Sequence, residues 1–183
     1  KGRVTADTAA QSPDIFLAAI EKVPDAMVVG MERVTERGLK NVRFLDRDAI
    51  NLLDIFAPGE VSRIYINFPD PWKKSRQHKR RLTYAGFLAL YANVLPLGGE
   101  IWFKTDDDDL FRDSLSYFPA AGFEITWQTF DLHKNEPDWN LRTEHEGMFS
   151  EQGIPIKALI ARKGPDSAVT WVCLLYTSPS PRD

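Results

Sequence analysis

The sequence predicts an α/β fold, a parallel sheet with helices on both faces, in one domain. Three observations predict it. Short β-branched and aromatic runs alternate with stretches whose apolar residues recur at helical spacing. Four of the runs end in, or soon reach, an acid: Glu21, Asp48, Asp70 and Asp106. No repeat or linker interrupts the pattern up to Lys163. In such folds a ligand lies beyond the carboxyl ends of the strands, so the acids mark where one is expected.

The elements follow in order. Thr5 to Gln11 reads as a helix ended by Ser12-Pro13. "IFLAAIE", Ile15 to Glu21, reads as a buried parallel strand. From Pro24 to Arg37, Met27, Val28, Met31 and Val34 recur on one helical face, with Pro24 suited to the first turn and Gly38 to the stop. "NVRFLDRDA", Asn41 to Ala49, is a second strand, and Asn51 to Phe56 a single helical turn. "VSRIYINF", Val61 to Phe68, is a third strand that runs straight into Pro69-Asp70-Pro71. Leu82 to Leu95 reads as an apolar-faced helix, "EIWFKTD" (Glu100 to Asp106) as a fourth strand, and Asp107 to Ala121 as a helix closed by Gly122. Phe123 to Leu132 and Ile154 to Lys163 read as two last strands, a hairpin across a long loop.

Composition narrows the function. The chain has 183 residues, a formal charge of -3, 43% hydrophobic and 27% charged residues, which fits a globular domain. No apolar run is long enough to span a bilayer, and no secretory leader pattern is present, so no membrane partner is expected. One cysteine, Cys173, and three scattered histidines give neither a disulfide framework nor a metal site. A reducing cytoplasm is the expected setting. The ending "CLLYTSPSPRD" reads as a translated sequencing adapter, the alternative being a natural flexible tail. The expected domain is therefore residues 1–163, with 164–183 a junction and artefactual tail.

The chemistry concentrates around "INFPDPWKKSRQHKRR", Ile66 to Arg81. Proline restricts itself and the residue before it, so Pro-Asp-Pro is a stiff turn that holds Asp70 at a strand end. Trp72 offers a flat face for a base or sugar, or else fills the core. Six Lys/Arg, a His and no acid occupy the nine residues Lys73 to Arg81. In a mildly acidic chain this is a local positive field suited to phosphates, against the simpler reading of a solvated loop. A single strand-end carboxylate often just caps the next helix. Four together call for hydroxyls, amides or a cation, because each makes the others costlier to ionise. A ribose, a sulfonium and an amino group meet that need.

With these residues in view, the chain resembles the bacterial tRNA (guanine-N7-)-methyltransferases. "AIEKVPDAMVVGMERV", "NFPDPWKKSRQHKRRLTYAGFL", "FKTD" and "TEHE" carry the resemblance, which runs from Lys1 to Lys163. It implies a Rossmann-like class I methyltransferase fold with S-adenosylmethionine as cofactor and tRNA as partner, as monomer or homodimer. It places cofactor contacts on Glu21, Asp48, Asp70 and Gly2, with Asp70 also catalytic. It places substrate contacts on Lys74, Asp106 and Thr143, Glu144, His145 and Glu146. It places RNA-backbone contacts on Arg76, Lys79, Arg80 and Arg81. The chain departs from the pattern at Lys73, where the family usually has Pro, and at Asp107, where Asn is common. Lys1-Gly2 resembles the end of the family's glycine-rich loop, so the first, central strand and that loop are expected to be missing and the fragment inactive.

The implied reaction is methylation of a variable-loop guanine. Guanine N7 already carries an in-plane lone pair and needs no base, so positioning dominates. Positive charge then spreads over the purine, and a fixed carboxylate stabilises it selectively in the transition state. Two alternatives remain: methylation of an exocyclic amine, whose motif "NFPDPW" partly resembles, and a non-catalytic RNA-binding module.

Overall fold

A computed structural model describes residues 2–21 and 23–165. The expectations about Cys173 and the adapter-like ending lie outside the described residues. In chain order the elements are α1 (Arg3–Gln11), β1 (Leu17–Ile20), α2 (Pro24–Glu36), β2 (Val42–Leu45), α3 (Leu52–Ile55), β3 (Arg63–Asn67), α4 (Ala85–Val94), β4 (Glu100–Thr105), α5 (Asp108–Ala120), β5 (Phe123–Thr129), α6 (Glu144–Glu151) and β6 (Lys157–Lys163). Short 3-10 turns at Ala49–Asn51 and Ser75–Arg80 complete them. Contacts group the described residues into two compact units: those within 2–51 with 135–154, and 52–134 with 155–165.

In the first unit β1 and β2 pair in parallel, Leu17 opposite Val42 and Ile20 opposite Leu45. Pro24 opens α2 and Gly38, at φ 63°, lies just past its end, as the sequence predicts. Gly2 caps the start of α1 with φ 73°. A Cβ on Gly2 would fall 2.4 Å from the Cα of Gly30 in α2, so the approach of these two helices requires glycine at position 2.

The same unit contains α6, where the sequence reading expects an unstructured part of a long loop. The Thr143 hydroxyl accepts from the Glu146 backbone N–H at 3.0 Å, and Glu146 Oε2 accepts from the Thr143 N–H at 2.7 Å. This is a reciprocal capping box that satisfies two otherwise orphaned donors of the first turn. "TEHE" carries that signature in the sequence, but the helix behind it lacks an apolar stripe that would announce it. Thr143→Ala is expected to cost about 1 kcal/mol, while Thr143→Ser keeps most of the cap. Urea unfolding of the pair measures this, with faster amide exchange across α6 in the Ala variant alone.

In the second unit the strand order is β3-β4-β6-β5. β3 and β4 are parallel, with Arg63 opposite Glu100 and Asn67 opposite Lys104. β6 lies antiparallel between β4 and β5, so the last two strands form the expected hairpin, with a register shift between Ile125 and Trp127. Alternation places Ile101 and Phe103 on the buried face of β4. There Phe103 meets Phe111 and Phe118 of α5 at ring distances of 6.2 and 6.5 Å, and Phe118 meets Phe123 of β5 at 6.1 Å. α4 adds buried Leu88, Tyr91 and Leu95 at its end. These contacts fix the direction in which α5 starts, and α5 starts at the site.

Candidate active site

In the second unit the site is built on the turn after β3. The Phe68 N–H still donates to Lys104 O at 2.9 Å, so the chain leaves the sheet only after that bond. Phe68 and Trp72 then take left-handed backbone conformations, with φ of 52° and 43°. These are the non-glycine residues with positive φ among the described residues, and they bracket Pro69-Asp70-Pro71. Each costs roughly 1–3 kcal/mol and persists only where its surroundings over-determine it. The residue before a proline normally goes to the extended region. Phe68 instead goes left-handed, which makes the turn tighter than the proline pattern alone implies. Asp70 is exposed and makes no hydrogen bond or ion pair among the described residues.

What holds this turn comes from the basic run and from α5. Arg81 is 1% exposed. Its Nε donates to Pro71 O at 2.7 Å and its Nη1 to Asp113 Oδ2 of α5 at 2.5 Å. Arg81, expected among the RNA-backbone contacts, is thus buried, with Nε and Nη1 bonded inside the protein. Two residues on, the Thr83 hydroxyl bonds that of Ser114 at 2.7 Å, both buried, and Ser114 donates to Leu110 O. Tyr84 packs edge-on to Tyr117 at 5.2 Å. Burial pushes the Tyr117 hydroxyl pKa up, helped by the Asp113 carboxylate and opposed by Arg81.

In the rest of the run the lysines and Arg76 and Arg80 are exposed, while His78 keeps its Nε2 buried. Lys74, Arg76 and Lys79 are exposed and make no ion pair among the described residues. Lys73 lies 3.6 Å from Asp107, so the residue that departs from the family pattern is tied to the other departing residue. The Arg80 guanidinium sits 5.1 Å from the centre of the Trp72 ring. Trp72 is half-buried, between the two sequence readings of it.

Asp106 follows β4 as Asp70 follows β3, so these two acids leave the carboxyl ends of neighbouring parallel strands. Asp107 caps α5, accepting from the Leu110 N–H at 2.8 Å. The Lys157 ammonium donates to Asp106 O at 2.9 Å and lies 2.6 Å from Asp108. The hydrogen bond from Lys157 to the Asp108 carboxylate holds that carboxyl below its ordinary pKa, against a smaller opposing effect of desolvation.

In the first unit Glu21 and Asp48 likewise follow the neighbouring parallel strands β1 and β2. Glu21 Oε1 accepts from the Val23 N–H at 2.9 Å, and Asp48 Oδ1 from the Ile50 N–H at 3.2 Å. Each thus also bonds the backbone two residues on; Glu21 reaches Val23, the N-cap residue of α2, so it does not cap the first turn of that helix. Of the "TEHE" residues, Glu144 pairs with Arg33 of α2 at 2.5 Å, and His145 is exposed. Glu146 is fully buried, with Oε1 accepting from Asn140 Nδ2 at 3.1 Å beyond the capping bond. A carboxylate so engaged serves the helix start, a role that a loop in this segment would not give it.

Asp113, Ser114, Tyr117 and Lys157 are not singled out by the sequence. No local pattern marks them: Asp113 lies 32 residues from Arg81 in the chain. Among the described residues no group of three or more His, Cys, Asp or Glu side chains is arranged to hold a metal, and no helix is long and apolar enough to cross a membrane.

Comparison with known proteins gives these strand-end acids a context. Residues 1–159 match a family model described as "Putative methyltransferase". A tRNA (guanine-N(7)-)-methyltransferase from Exiguobacterium sibiricum is 47% identical over 156 residues, 85% of this chain and 73% of the relative. The chain belongs to the tRNA (guanine-N(7)-)-methyltransferase family. The family member from Bacillus subtilis is 44% identical over 156 residues, again 85% of this chain and 73% of the relative. Among solved structures, TrmN from Thermus thermophilus aligns with a TM-score of 0.62 at 22% identity, over 87% of this chain and 40% of that one. A precorrin-6y C5,15-methyltransferase from Geobacter metallireducens aligns with a TM-score of 0.58 at 13% identity, over 88% and 74%. The fold is accordingly the Rossmann-like class I methyltransferase fold, and the chain is of a methyltransferase family.

Proposed function

We propose that this protein transfers a methyl group from S-adenosylmethionine to N7 of a variable-loop guanine in tRNA, in the cytoplasm. The observation that carries this reading is Asp70. It is an exposed carboxylate on a strained turn, next to an exposed cationic loop, in a chain of this family.

The first unit fits the cofactor. Half-buried Glu21 and Asp48 at neighbouring strand ends are acceptors suited to hydroxyl and amino groups. When bound, S-adenosylmethionine supplies an electrophilic methyl group on a sulfonium. In the second unit Asp70 would be the carboxylate offered to the purine. N7 needs no proton removed, so Asp70 acts as fixed negative charge that stabilises the cationic purine as it forms. Asp106 and Lys74 orient the substrate. Glu144 and His145 add contacts that the capping box of Thr143 and Glu146 holds in place. Lys79, Arg80 and Arg76 contact the RNA backbone, which supplies affinity rather than sequence choice.

The test is to incubate the full-length parent protein with unmodified tRNA and isotopically labelled cofactor, digest the RNA, and identify the labelled nucleoside by mass spectrometry. Label in 7-methylguanosine from the variable loop is the expected result. Label on an exocyclic amine, or binding without label, overturns the reading.

A further inference from the structure

We propose that Arg81 is a positioning residue that fixes the Pro69-Asp70-Pro71 turn on α5, and is not part of the RNA-binding surface. The inference rests on the reading of Asp70 given above, and concerns how Asp70 is held.

The turn has few internal means of holding its shape. Proline lacks a backbone N–H, so Pro69 and Pro71 donate nothing. Phe68 and Trp72 both sit in a region of backbone space that relaxes if unsupported. Past the Phe68 bond to the sheet, support comes from outside, through the Pro71 carbonyl. Arg81 reaches it from ten residues further along the chain. The planar guanidinium meets acceptors in different directions, the Pro71 carbonyl through Nε and, through Nη1, the Asp113 carboxylate and at 3.5 Å the Tyr117 hydroxyl. A lysine ammonium at the end of a flexible stem cannot reproduce this fork.

The anchor is itself fixed. Asp113 lies within α5, whose start is set by the Asp107 cap and whose body packs on Phe103. The Thr83–Ser114 bond, in the same two segments, keeps the chain after Arg81 in register with α5. Lys73 meets Asp107 at the opposite end of the basic run. The run is therefore tied to α5 at both ends while Lys74, Arg76 and Lys79 between them stay exposed. One helix aligns both the acid and the cationic loop, and Arg81 is the residue that couples them.

The experiment compares R81K, R81Q, D113N and R80Q in the full-length parent protein. It reads single-turnover methyl transfer at saturating tRNA and cofactor, the slope of log tRNA affinity against log salt, and amide exchange of residues 68–74. R81K is expected to speed exchange across 68–74 and slow transfer about tenfold to a hundredfold, since small misplacements of a reacting group have costs of that order. R81Q is expected to leave the salt slope at its wild-type value, whereas R80Q lowers it by about one. D113N changes the exposed partner, whose side chain is 43% accessible. It reproduces the R81K effects in weaker form and keeps the test open if the Arg81 variants do not fold. Unchanged exchange across 68–74 in R81K and D113N, or a salt slope lowered by R81Q as by R80Q, overturns the proposal. The Asp70 reading is separated by D70N: full transfer rates in both D70N and R81K, with faster exchange in R81K, leave the anchor standing and remove the role of Asp70.

Discussion

Asp70→Asn lowers the single-turnover rate of methyl transfer about a hundredfold and leaves tRNA affinity within about twofold of wild type. The asparagine keeps the size and hydrogen-bonding reach of the side chain and fits the same turn between Pro69 and Pro71. What it removes is the negative charge. That charge matters little to a neutral guanine in the ground state and much to the cationic purine of the transition state, so the deficit falls on rate rather than binding. The magnitude is that of removing one preorganised electrostatic group from an active site. An unchanged single-turnover rate sinks the electrostatic role. A general-base role is separated by pH: N7 has no proton to lose, so the D70N rate deficit stays constant across the neutral range, whereas a deficit that varies with pH points to proton transfer.

The second large effect belongs to the cationic loop. Replacing Lys79 and Arg80 with glutamine lowers the slope of log tRNA affinity against log salt by about two, one for each phosphate that is no longer neutralised. Because counterion release is a property of charge rather than sequence, the weakening is uniform across tRNAs. The rate of bound tRNA changes far less than in D70N. Filter binding at several salt concentrations measures it. A slope equal to wild type places these residues outside the RNA interface. Extending the substitution to Arg81 adds no further change in slope, because that guanidinium is bonded inside the protein.

Arg81 shows where the reading of a linear pattern ends. "KRR" is three equal cations in sequence, yet Lys79 and Arg80 are exposed and Arg81 is buried against a helix 32 residues away. The three-residue spacing of Thr143 and Glu146 shows the opposite case. The capping box is present in the letters, but "TEHE" draws attention to the residues it presents rather than to the helix it starts.

The sequence by itself determined the alternation of strands and helices, the acids at the carboxyl ends of four strands, the stiff turn around Asp70 and the family. Each is set by local chemistry: side-chain period, proline geometry and the order of residues along one segment. Only the tertiary structure decided which cation is an anchor and which acid is buried, as with Arg81 and Glu146. It also decided that Phe68 and Trp72 take left-handed conformations and that β6 slots between β4 and β5. These outcomes depend on partners far apart in the chain, and a charge is buried or exposed according to whether such a partner can satisfy it.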